Sequence, residues 1–72
     1  MISYDPFWKT LSRSPESTYT LIYRYHISSS TIQKLRNNTP MNTTTINDLC
    51  RILHCAVENI LRYEQSEEDQ PL

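Results

Sequence analysis

Apolar residues recur along the chain at three- and four-residue spacing, the period of an amphipathic helix. Tyr4, Phe7, Trp8 and Leu11 form the first set. Asp5 and Pro6 stand where a helix begins, because proline fits the first turn, where its missing N–H costs nothing. Lys9 and Arg13 fall toward the other side and the C-terminal end, where cations complement the helix dipole. Ser14-Pro15-Glu16 ends this element, and Ser17 or Thr18 caps a second helix with Leu21, Ile22 and Tyr25 facing inward. The pattern breaks at His26-Ile27-Ser28. Ser28 is placed to cap a third helix, since its side-chain oxygen can accept a bond from an orphaned amide. Asn37-Asn38-Thr39-Pro40 reads as a loop, with asparagine taking the left-handed conformation that ends many helices. Asn42 or Thr43 caps a fourth helix with Ile46, Leu49, Cys50 and Leu53 inward, its first turn frayed by the β-branched run Thr43 to Thr45. His54 closes that helix. Val57, Ile60 and Leu61 predict a short fifth helix that lids the core, with Tyr63 at its end. No strand pattern and no internal repeat competes with this assignment. The pattern therefore predicts an all-α, five-helix domain over residues 1–63 and a polar, disordered tail over 64–72.

The third helix differs from the others. From Ser29 to Arg36 only Ile32 and Leu35 face inward, too little apolar surface for a helix that serves packing alone. Ser29, Ser30, Thr31, Gln33, Lys34 and Arg36 are left to meet something else, and none is acidic. Hydroxyls and amides can read base edges, and cations neutralise phosphates. This is the profile of the second helix of a helix-turn-helix, whose N-terminal residues enter the major groove of duplex DNA.

Composition narrows the alternatives. Seventy-two residues make one small domain, near the lower size at which a chain folds without staples. The chain has no glycine, which excludes a glycine-rich phosphate loop. No apolar run is long enough to span a membrane, and no basic-then-apolar leader opens the chain, so the cytoplasm is the expected compartment. The net charge of −1 hides an asymmetry. Glu64, Glu67, Glu68 and Asp69 lie in the tail, leaving seven Lys and Arg against four acids in residues 1–63, a net +3. Such a globule is compatible with nucleic-acid binding. Cys50 and Cys55 make no disulfide framework and read as buried thiols of a reducing compartment. Together with His54 they would have only His26 as a fourth zinc ligand, and the spacing is wrong, so no metal or cofactor is expected. No paired carboxylate, Ser-His-Asp or Cys-His arrangement is present, and the chain has no room for a deep pocket. Neither catalysis nor a small-molecule substrate is expected. Tyr19, Tyr23, Tyr25 and Tyr63 cannot all be buried in so small a core and offer a self-association patch.

The run LIYRYHISSSTIQKLRNN, followed by TTTINDLCRILHCAVENIL, resembles the Xre-type (phage Cro and repressor-like) helix-turn-helix family of small bacterial and phage regulators. It looks closest to compact members that end soon after a motif like L-x-C-x-x-x-x-I-L, here Leu53, Cys55, Ile60 and Leu61. The similarity covers residues 4 to 63 and lies in the order and spacing of apolar positions. It implies a five-helix lambda-repressor-like DNA-binding domain, with helices 2 and 3 as the helix-turn-helix. It further implies double-stranded DNA as the partner, a homodimer formed either free or only on DNA, and a role as a transcriptional regulator, a repressor above all. Matched position by position, Ser29 and Ser30 face base edges, Lys34 does so one turn on, and Gln33 lies beside them. Backbone phosphate contacts fall to Thr18, Tyr23 and Arg24 on helix 2, to Thr31, and to Arg36, Asn38, Thr39 and Asn42 around the following loop. His26 departs from the pattern, because its place in the turn is usually a glycine with positive φ. The alternative is a protein-interaction module, an antitoxin or mobile-element accessory factor, that keeps the scaffold without binding DNA.

Overall fold

In the computed structural model, which describes residues 1–72, four helices follow one another: α1 (Asp5–Ser12), α2 (Thr18–Tyr23), α3 (Ser29–Arg36) and α4 (Thr43–Leu53). Each begins close to where the sequence signals place it. Pro6 occupies the first turn of α1. Ser17 caps α2 through a reciprocal pair, its Oγ accepting from the Thr20 amide at 3.3 Å while Thr20 Oγ1 accepts from the Ser17 amide at 2.8 Å. Asn42 precedes α4 in extended conformation but makes no side-chain cap bond. The threonine run does not fray α4: Thr45 and Ile46 amides both reach the Asn42 carbonyl, and Thr43 is already helical.

The core takes one wholly buried side chain from each part of the chain. Phe7, Leu21, Leu35, Leu49 and Ile60 are each at most 1% exposed, and they come from α1, α2, α3, α4 and the segment after α4. Burial of each such side chain contributes about 1.5–3 kcal/mol. Leu35→Ala, which opens a cavity beneath α3, costs about 2–5 kcal/mol. Phe7 packs edge-on against Trp8, with ring centroids 4.9 Å apart. Cys50 and Cys55 are free thiols at the edge of this core, and burial followed by the neighbouring Cys50 pushes the Cys55 thiol pKa up.

A chain without glycine must turn by other means. His26, Asn38 and His54 all take left-handed φ, at 61°, 53° and 52°. Histidine and asparagine enter this region more readily than β-branched residues, though at a cost glycine avoids. His26 therefore supports a turn of the expected shape between α2 and α3, and His54 ends α4.

The expected fifth helix is corrected. Val57–Asn59 is a single 3-10 turn, and Val57 is 53% exposed rather than part of a lid, although Ile60 is fully buried. Two local preferences hold the turn short. Asn59 Oδ1 accepts from the Ala56 amide at 3.1 Å, and the following residues leave to pair with the N-terminus. Strand β1 (Ile2–Ser3) and strand β2 (Arg62–Tyr63) form an antiparallel ribbon with Ile2 opposite Tyr63 and Ser3 opposite Arg62, where no strand was expected. Tyr25 is corrected too: α2 ends at Tyr23, and Tyr25 lies beyond it, 37% exposed, not on its inward face. The 64–72 segment contains no helix or strand. Asp69 carboxylate lies 2.7 Å from the Met1 ammonium.

Candidate nucleic-acid interface

Eight residues are too few for a helix to persist alone, so α3 depends on its cap and its two anchors. Ser28 Oγ accepts from the Thr31 amide at 3.2 Å and lies 2.9 Å from both Ser30 Oγ and Thr31 Oγ1, a hydroxyl cluster at the head of the helix. Ile32 and Leu35 are buried beneath. With those two facing down, Ser29, Ser30, Gln33 and Lys34 are all exposed. The side chains of Ser29, Gln33 and Lys34 make no hydrogen bond or ion pair within the protein, which leaves their donors and acceptors for a ligand, while Ser30 shares its hydroxyl with Ser28. Beside this row, Thr31 and Lys34 line one wall of a groove of about 190 Å³. Asn42 and Thr45 at the start of α4 line the other.

The loop after α3 is held from below by α1. Tyr4 Oη donates to the Thr39 carbonyl at 2.9 Å, and the Tyr4 amide donates to Asn38 Oδ1, also at 2.9 Å. Tyr4 is 3% exposed, and that burial raises its pKa. Trp8 Nε1 donates to the Leu35 carbonyl at 3.3 Å, at the last turn of α3. The Arg36 guanidinium lies 5.5 Å from the Trp8 ring centroid, a cation–π contact that orients the charge without neutralising it. Asn38 thus spends its oxygen inward and keeps its NH₂ free, and Thr39 keeps its hydroxyl free.

On α2, the rings of Tyr19 and Tyr23 lie 4.6 Å apart, tilted by 40°, and these residues are 69% and 68% exposed. Thr18 is half-buried at the helix start. Arg24 lies 3.7 Å from the Glu16 carboxylate, whose side chain is only 8% exposed. The same carboxylate pushes the Tyr25 phenol pKa up. Arg24 is therefore partly neutralised, unlike Lys34 and Arg36.

Between Glu16 and Asp48 the chain has no carboxylate, and it carries Arg24, Lys34 and Arg36. The helix-turn-helix and the loop after it therefore contribute three cations and no carboxylate of their own, with Glu16 set beside Arg24. Residues 8–66, which contain all of these elements, match the Cro/C1-type HTH DNA-binding domain. The chain belongs to that family. No curated protein and no solved structure shows significant similarity to it. In this Cro/C1-type domain the four expected base-facing residues share the outer side of α3. Of the expected phosphate contacts, Arg36, Asn38 and Thr39 lie at its C-terminal end and the adjoining loop, while Thr31, in its first turn, faces Asn42 across the groove. Thr18, Tyr23 and Arg24 stand apart on α2. No helix is long and apolar enough to cross a membrane, and no group of three or more His, Cys, Asp or Glu side chains converges.

Two positioning residues were missed. Tyr4 and Trp8 read as core aromatics, yet each also fixes the backbone or the cation at the C-terminal end of α3. The available signal was chemical: a tyrosine or tryptophan in a small core must find a partner for its polar tip.

Proposed function

We propose that this chain is a sequence-specific double-stranded DNA-binding transcriptional regulator, acting as a repressor by occupying its operator. Residues 1–63 form the DNA-binding unit, and 64–72 form an acidic appendage. Helix α3 enters the major groove, where Lys34 donates to guanine O6 and N7 and Ser29, Ser30 and Gln33 read neighbouring edges. Thr18, Tyr23, Arg24, Thr31, Arg36, Asn38, Thr39 and Asn42 grip the phosphates on either side and fix the register. One such helix reads few base pairs, so two copies bind a two-fold site with half-sites one helical turn apart.

The observation that carries this reading is the acid-free run from Ser17 to Asn47, with Ser29, Ser30, Gln33 and Lys34 of α3 exposed and Lys34 unpaired. A domain that had exchanged DNA for a protein partner would have no need to exclude carboxylates from that stretch. Selection of bound duplexes from a random pool tests the proposal, since it reports binding, half-site sequence and spacing together. Enrichment of a palindrome is the expected result. Absence of binding even at low salt would overturn it, because phosphate neutralisation is strongest there.

A further inference from the structure

Cys50 and Cys55 meet where α4 ends. The helix stops because His54 turns left-handed, and the chain beyond it folds back over the last turn. The Cys55 amide donates to the Cys50 carbonyl at 3.1 Å, the bond by which a left-handed residue commonly closes a helix. Side chains at the two ends of such a turn are commonly in contact. The bond also limits their separation. Adding the covalent lengths on either side of it leaves the two Cα atoms no more than about 7 Å apart, inside the limit for a disulfide. The thiols do interact: burial first, and then the neighbouring Cys50, raise the Cys55 pKa. Both thiols are free, and both lie partly buried at the edge of the core, within reach of small reagents. No third His, Cys, Asp or Glu side chain converges on them, whereas a structural zinc site needs four ligands.

We propose that Cys50 and Cys55 are a reversible dithiol site, which low-molecular-weight disulfides convert to an internal disulfide that pins α4 to the C-terminal segment. One thiol loses its proton, attacks a sulfur of the small disulfide and expels half of it as a thiolate. The resulting mixed disulfide stands beside the second protein thiol. That thiol loses its proton in turn, bonds to the protein sulfur and expels the other half. The two protons end on the two small thiols released. The cysteines are thereby oxidised by two electrons, and the small disulfide is reduced by two. The new bond spans His54, whose left-handed φ a β-carbon disfavours, and ties α4 to the segment that carries Ile60 into the core. It removes conformations from the unfolded chain, while the native approach of the two cysteines leaves little to rearrange. In a reducing compartment the pair rests as thiols, and disulfides formed there are transient. Asn42 and Thr45, which line the groove beside Lys34, lie toward the opposite end of α4, so this site is independent of the DNA-binding reading.

Oxidised glutathione is the probe. The folded full chain is incubated with it, quenched in acid, alkylated and weighed by intact mass spectrometry. The parent should end lighter by two hydrogens, with no thiol left to alkylate and no second chain attached, and dithiothreitol should restore both thiols. C50S and C55S should each stop at a single glutathione adduct, and thermal melts establish that each variant folds. A flexible pair of cysteines could close by chance, so the folded turn needs its own readout. In a glutathione redox buffer the ratio of internal disulfide to dithiol should be roughly tenfold higher for the folded parent than for the parent in urea. The oxidised parent should accordingly melt at a higher temperature than the reduced one. These two measurements use the parent alone and stand even where a serine variant fails to fold. Thiols that stay unreacted, two lasting glutathione adducts or a bond between chains would overturn the proposal. So would a ratio no higher in the folded chain, or a melting temperature lowered by oxidation.

Discussion

Tyr4 links α1 to the loop beyond α3 through its amide and its hydroxyl. Tyr4→Phe removes the hydroxyl's bond to Thr39 and should cost about 0.5–1.5 kcal/mol, a drop of several degrees in melting temperature. The pH dependence follows from burial, which raises the phenol pKa in the folded protein. An unfolded tyrosine ionises near pH 10, so the stabilising contribution is complete below that value and is lost as pH rises through the higher folded one. The parent should therefore lose stability above about pH 10 more steeply than Tyr4→Phe does. A second residue-scale test concerns His26, whose φ of 61° places Cβ in conflict with the following carbonyl. His26→Gly relieves that conflict, and the greater freedom of glycine in the unfolded chain offsets part of the gain. The expected net gain is below about 1 kcal/mol, read as a higher urea midpoint with unchanged slope. At the proposed reading face, Lys34→Ala should weaken operator binding by about 1–3 kcal/mol and relax preference at one base pair. Competition titrations against operators varied at single positions measure both effects.

Helix α3 depends most on its cap among these elements, because its outer face gives nothing to the core. Ser28→Ala removes the acceptor for the Thr31 amide and should destabilise the protein by about 0.5–2 kcal/mol. Faster exchange of the Thr31 amide than of the Leu35 amide would place that loss in the first turn of α3. The four helices were legible because each declares itself locally, through apolar spacing, a capping hydroxyl or a proline in the first turn. The stretch after His54 was not. Val57, Ile60 and Leu61 mimic a helical stripe, but Arg62 and Tyr63 are drawn into pairing with Ile2 and Ser3 at the far end of the chain. Two-residue strands carry no period for a sequence to display. The site divides in the same way. Exposure of Ser29, Ser30, Gln33 and Lys34 follows from having only two anchors on α3. The hold of Tyr4 on Asn38 spans 34 residues and has no local signature.

For the whole molecule, charge is distributed rather than balanced. The acid-free run from Ser17 to Asn47 carries the positive field, while Glu67, Glu68 and Asp69 lie at the other end of the sequence, tied down only by the exposed contact between Asp69 and Met1. An ion pair that is 41% exposed on each side contributes little to stability. Ending the chain after Glu64 keeps β2 and its bond to Met1, removes three acids and takes the net charge from −1 to +2. The melting temperature should change little. Association with duplex DNA should respond, because the tail repels the phosphates at range whereas the contacts at α3 act locally. At low ionic strength the shortened chain should bind faster than the parent. The advantage should shrink as the Debye length falls to about 8 Å near physiological salt. Sequence preference should not move, since no residue that faces the bases has been touched. Stopped-flow association rates measured across a salt series decide the matter: convergence of the two chains at high salt identifies a long-range repulsion, and a constant ratio would mean that the tail acts by contact.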